Sequence, residues 1–128
     1  MEYYFSKTIN STFDEVIKQV TEVLKNEGFG IISEIRMHDK LKEKLGIDFK
    51  KYTILGACNP AYAYKALQVE DKIGTMLPCN VIVQELAVNK IEVAAVNPIA
   101  SMMAIKNPEL AEIAKDVTDK LQNVLNRL

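Results

Sequence analysis

Apolar positions in this chain change period several times, and each change marks the edge of an element. Tyr3 to Ile9 alternates weakly and carries three aromatics, which suits a strand. From Thr12 the period lengthens, so that Phe13, Val16, Ile17, Val20, Val23 and Leu24 fall on one helical face. Thr12 and Glu15 stand three apart at the entrance, as a capping box requires, and Gly28 supplies the residue that ends the helix. Phe29 to Met37 is rich in β-branched residues, and plain alternation puts Ile31, Ile35 and Met37 on one face of a second strand. His38 to Gly46 reads as a short helix with Asp39 as its cap and Leu41 and Leu45 four apart.

Tyr52 to Cys58 returns to strand character, and Asn59-Pro60 opens a helix that directs Ala63, Ala66 and Leu67 inward. Asn is a favoured helix cap, and Pro fits the first helical position because its missing N–H has no partner to lose there. Asn80 to Val88 and Lys90 to Val96 form a hairpin around Asn89-Lys90, since Asn tolerates a positive φ. Ile99 to Ile105 is apolar without a clear period. Asn107-Pro108 then starts a last helix with Leu110, Ile113, Ala114, Val117, Leu121 and Val124 on its inner stripe, and Asp116, Asp119, Lys120 and Asn123 outside. Three prolines, Pro60, Pro98 and Pro108, each follow an asparagine and mark an element start.

The order β-α-β-(short α)-β-(α)-β-β-α predicts a single α+β domain over residues 1–128, an antiparallel sheet with helices on one face. With 128 residues, 48% of them hydrophobic and 26% charged, a core forms without metal or disulfide staples. Sixteen basic and 17 acidic residues leave a net charge of −1, which argues against a dedicated nucleic-acid binder. Met1 to Lys7 shows no signal-peptide pattern, and no apolar run approaches the roughly 20 residues that span a bilayer. Two cysteines do not make a disulfide framework. The expectation is a cytoplasmic protein with reduced thiols and neither membrane nor nucleic acid as a partner.

The two cysteines carry the most pointed chemistry. Cys58 ends a strand just before a helix N-terminus, in Ala57-Cys58-Asn59-Pro60, where the positive end of the helix dipole favours a thiolate. Cys79 begins a strand in Leu77-Pro78-Cys79-Asn80. Two thiols at strand ends can meet, bind a soft metal or form a reversible disulfide. Their spacing of 20 intervening residues matches neither Cys-x-x-Cys nor a zinc ribbon, and free cysteine is among the most buried residue types, so two core thiols are the competing reading.

Other candidates are weaker. His38, the single histidine, stands beside Asp39 after a strand, a boundary position that suits a surface residue as well as a base or a ligand. Gly28-Phe29-Gly30 leaves a helix and enters a strand, the reverse of a dinucleotide fingerprint. Arg36, Lys40, Lys42, Lys44, Lys50 and Lys51 face only Asp39, Glu43 and Asp48 locally, the composition of a solvated amphipathic segment. Glu70-Asp71 lies at a helix end, and Glu85 and Glu92 belong to an exposed sheet face. Met102-Met103 suits either core packing or an adaptable contact surface.

Ile54-Leu55-Gly56-Ala57-Cys58-Asn59-Pro60, then Leu77-Pro78-Cys79-Asn80-Val81 and a hairpin ending at Asn97-Pro98, resembles the family called "domain of unknown function 302". The helix Thr12 to Glu27 followed by Gly28-Phe29 fits as well, so the resemblance spans the chain. It implies a β-α-β(4)-α arrangement of the TATA-binding-protein-like type, a curved antiparallel sheet gripping a long C-terminal helix, with the short helices as insertions. Asn97 stands where Asp is expected in many members. About function the resemblance implies almost nothing, but it makes the two cysteine motifs less easily incidental.

Three functions follow as expectations. The first is a small ligand- or metal-binding domain with Cys58, Asn59, Pro60, Pro78, Cys79, Asn97 and Pro98 around the mouth of a pocket, or Cys58, Cys79 and His38 as metal ligands. The second is a thiol redox enzyme with Cys58 as nucleophile and Cys79 as resolving thiol. The third is a homodimeric interaction module using the apolar Ile99 to Ile105 segment and an uncovered strand edge. No cofactor is indicated.

Overall fold

A computed structural model describes residues 1–128. The strands are β1 (Tyr4–Ile9), β2 (Gly30–Arg36), β3 (Tyr52–Cys58), β4 (Cys79–Ala87) and β5 (Lys90–Val96). They pair antiparallel throughout in the spatial order β1-β5-β4-β3-β2, an open sheet with two edges. The helices are α1 (Phe13–Asn26), α2 (Met37–Leu45), α3 (Pro60–Val69), α4 (Pro98–Ser101) and α5 (Pro108–Asn126), with a 3-10 segment at Asp71–Met76. The main helices cover one face of the sheet, as the element order predicts.

Alternation along the central strands divides the two faces. Thr53, Leu55 and Ala57 of β3, Cys79, Val81 and Val83 of β4, and Ile91, Val93 and Ala95 of β5 are buried against the helices. Onto them α1 lays Phe13, Val16, Val20 and Leu24, and α5 lays Val117, Leu121, Val124 and Leu125. The Thr12 hydroxyl caps α1 by accepting from the Glu15 N–H, and Gly28 at φ 88° closes it. The Phe29 N–H donates to Leu24 O and the Gly28 N–H to Lys25 O, the paired bonds that a glycine in the left-handed region allows.

Several local expectations are revised. Between Ile31 and Ser33 the β2–β3 register shifts by one residue, a bulge. Ile31 pairs with Ala57 on the buried face, but Ile35 pairs with Ile54 on the open face. An extra residue reverses the parity of a strand, so plain alternation fails beyond it. Met37 belongs to α2, not to β2, and Asp39 does not cap that helix. It lies in the first turn and pairs with Arg36 at 2.9 Å. Leu67 is exposed, whereas Ala66 is buried.

The Ile99 to Ile105 stretch contains the short helix α4, and its Met102 joins Ala66, Ile73, Leu110 and Ala114 in a second, smaller core. Met103 is exposed.

The three Asn-Pro steps open α3, α4 and α5, but their asparagines do different work. Asn107 caps α5, accepting from the Glu109 and Leu110 N–H groups, and its amide also donates to Val69 O at 2.8 Å. Asn59 makes no cap bond; its amide turns to Glu27 O at 3.5 Å. Asn97 is buried and donates to Glu2 O at 3.1 Å, while its carbonyl oxygen accepts from the Thr118 hydroxyl at 3.5 Å. Asn97→Ala therefore leaves two groups without their partner and is expected to cost about 1–3 kcal/mol in urea unfolding. A loss below roughly 0.5 kcal/mol, half the usual net worth of one hydrogen bond, contradicts the role of Asn97 as a clip between Glu2 and Thr118.

Candidate functional site

A cavity of about 220 Å³ lies at the seam between the two cores. Phe29, Ala57, Cys79 and Val117 of the larger core form one side, and Ala66, Met102, Leu110 and Ala114 of the smaller core form the other. Packing in a protein interior normally leaves few voids larger than a water. Here α3 and α5 present alanines at 63, 66 and 114 among the larger Tyr62, Leu110, Ile113 and Val117, and the short side chains leave space between the helices.

Five of the residues singled out by sequence stand in this wall: Cys58, Asn59, Pro78, Cys79 and Pro98. Asn59, Pro78 and Pro98 are its three residues outside the hydrophobic class, and no charged side chain lines it. Pro60 is exposed and absent from the wall. Asn97 is buried behind it as the clip already described.

His38 lies elsewhere. Its Nδ1 accepts from the Tyr52 N–H at 2.9 Å, and its ring meets Phe13 edge-on at 6.0 Å. Tyr52 and Cys58 are the two ends of β3, six residue steps or about 20 Å apart at the usual strand rise. The cysteines and His38 are therefore not brought together, and no group of three or more His, Cys, Asp or Glu side chains is poised for a metal.

Both thiols are free. In the β3–β4 ladder Cys79 sits opposite Ala57, which directs it to the buried face one step from Cys58. Burial pushes the Cys79 thiol up to about 11, and electrostatic repulsion from the neighbouring Cys58 adds to the rise. Cys58 is half-buried at the strand end, beside the first turn of α3.

Three further features shape the site. Gly56 lies opposite Asn80 and Ser33, and a Cβ added there meets the Pro78 ring at 2.8 Å. The missing side chain lets Pro78, which follows a cis peptide from Leu77, close over the strand end. The β2 bulge places the extra residue, Ile32, at the cavity. At the α3 rim stands Tyr62, with Lys65 and Lys120 at 5.3 and 6.0 Å from its ring centre, cations resting on an aromatic face.

The family model described as "Domain of unknown function DUF302" matches residues 5–128. The chain belongs to the DUF302 family. A crystal structure of an uncharacterized conserved DUF302 protein from Bacillus stearothermophilus is 30% identical, with a TM-score of 0.91 over 99% of this chain and 98% of that one. No curated protein matches the sequence. The DUF302 chain thus shares its fold with a solved member of its family. No helix is long and apolar enough to cross a membrane.

Sequence reasoning placed Ala63 and the α5 residues of the wall only as core positions, and it did not single out Ile32 or Tyr62. Their signal is ordinary core spacing; Ile113 packs against both cores, and the gap they leave beside it turns these residues into a lining.

Proposed function

We propose that this DUF302 protein binds a small, neutral, largely apolar molecule in the cavity between its two cores, with Cys58 and Cys79 in contact with the ligand. The supporting observation is the lining: apolar on both sides, free of charge, with two free thiols and the Asn59 amide as its polar edge. A charged group inside the cavity would lose its hydration without gaining a partner, since the nearest cations, Lys65 and Lys120, stand at the rim on Tyr62. An apolar one gains in proportion to the area it removes from water. A dry cavity of roughly 150 Å³ already holds benzene, so this one suits a bicyclic ring or a medium chain. The high pKa of Cys79 keeps that thiol protonated at neutral pH, which favours a packing role over that of a resolving thiolate.

Indole and the pair n-octanol and n-octanoate test the reading. Indole and octanol are expected to raise the thermal midpoint by roughly 3 °C or more near saturation and to slow iodoacetamide labelling of Cys58. Octanoate is expected to do both more weakly than octanol, because its carboxylate must stay at the rim beside Lys65 and Lys120 and its chain then fills less of the cavity. Ala63→Leu, a half-buried position on the wall, fills the space and abolishes both effects while the protein stays folded. If no neutral probe shifts the melt or protects Cys58, the cavity is only a packing defect.

A further inference from the structure

The face of the sheet turned away from the main helices carries its own site. The even-numbered residues of β3, β4 and β5 point there, and a groove of about 390 Å³ runs across them. In register, Tyr52, Gln84 and Glu92 make one continuous row over three strands. The Gln84 amide donates to Glu92 Oε1 at 2.7 Å, which holds the carboxylate in place. Tyr3 and Tyr4 close one end, their rings edge-to-face at 4.9 Å. The main chain of Tyr3 is tied down by the Asn97 N–H at 2.8 Å, so this aromatic wall is anchored although the Tyr3 side chain is 70% exposed.

Glu92 enters none of the six ion pairs of the protein and is the one charged residue in the groove. We propose that this groove binds a small molecule bearing an alkylated ammonium group, its charge against Glu92 and its methyl substituents against Tyr3, Tyr4 and Tyr52. Aromatic faces are negative at their centre and attract cations, and a quaternary ammonium is weakly hydrated, so little is lost when it leaves water. A compact metal cation needs several oxygen ligands, and one carboxylate with two amides does not supply them. The Tyr52 hydroxyl is pushed above the ordinary phenol range by burial, then by Tyr3 and Glu92. It therefore remains a neutral phenol at physiological pH. The groove is distinct from the thiol-lined cavity and shares none of its lining residues.

Choline and 3,3-dimethyl-1-butanol, which has carbon in place of the charged nitrogen, separate charge from shape. Titration calorimetry or tyrosine-ring NMR is expected to give choline at least about tenfold tighter binding than the alcohol. Glu92→Gln keeps the acceptor for Gln84 and is expected to weaken choline about tenfold or more with an unchanged melt. Tyr3→Ala, outside every strand, is expected to weaken it several-fold. Ala63→Leu leaves choline binding intact, so failure of the cavity reading and failure of this one are separable. Equal binding of the two probes, no saturable choline binding, indifference to Glu92→Gln, or a preference for a neutral sugar such as glucose overturns the proposal.

Discussion

Replacing Gly56 by alanine is expected to lower stability by about 1–3 kcal/mol and the thermal midpoint by roughly 5–15 °C. The added Cβ lies 2.2 Å from Ser33 Oγ and 2.8 Å from Pro78 Cγ, both far inside contact distance. Ser33 is exposed and its hydroxyl can rotate away. The Pro78 ring has no rotamer to offer, so the wall of the cavity must shift. The double variant Gly56→Ala with Ser33→Ala is therefore expected to recover only a minor part of the loss, whereas Gly56→Ala with Pro78→Ala recovers more. A mutant cycle by urea unfolding reads the two couplings directly. If removal of the serine hydroxyl restores full stability, Pro78 does not lean on Gly56 in the way described. Displacement of Pro78 also loosens the residue before Cys79, so faster iodoacetamide labelling of that buried thiol should accompany the loss.

Between pH 9 and 11 the protein is expected to lose roughly 2–3 kcal/mol of stability through Cys79 alone. Its thiol is raised from an ordinary 9.0 to about 11 in the folded protein. Below pH 9 it is protonated in both the folded and the unfolded chain, and the stability is fully present. As the pH rises from 9, the unfolded chain ionises while the folded one does not, so unfolding becomes easier until the folded thiol also ionises near 11. Tyrosines and lysines titrate in the same range. The informative quantity is therefore the difference between wild type and Cys79→Ala, measured by urea unfolding at pH 8, 9, 10 and 11. The wild type should lose its advantage over the variant across that window. Parallel curves would mean that Cys79 is not held in its thiol form by burial.

Both predictions concern the place where β3 ends and β4 begins, a place only half visible in the residue pattern. Cys58 and Cys79 were distinguishable because each sits within two residues of a proline at a boundary that periodicity defines well. Ladder register then follows from the buried alternation of Leu55, Ala57, Val81 and Val83, which leaves Cys79 opposite Ala57. His38 was distinguishable only as a residue type. Its actual partner, the Tyr52 N–H, is 14 residues away in the chain and depends on how α2 returns to β3.

The sequence by itself determined the order of the main elements, the antiparallel sheet with helices on one face, the starts of α3 and α5, and the inner stripes of α1 and α5, while at Pro98 it marked an element start without the helix α4. Each of these depends on interactions between residues a few positions apart, which local spacing records. Only the tertiary structure decided the rest. The bulge at Ile32 sends Ile31 and Ile35 to opposite faces. Asn59 and Asn97 spend their amides on distant carbonyls, not on their own helices. The alanines of α3 and α5 leave a space because the two cores, bridged by Ile113, close only part of the seam between them. A cavity is a property of what fails to touch, and Glu92 stands beside Tyr52 only once three strands are in register. Neither relation is carried by any short stretch of chain.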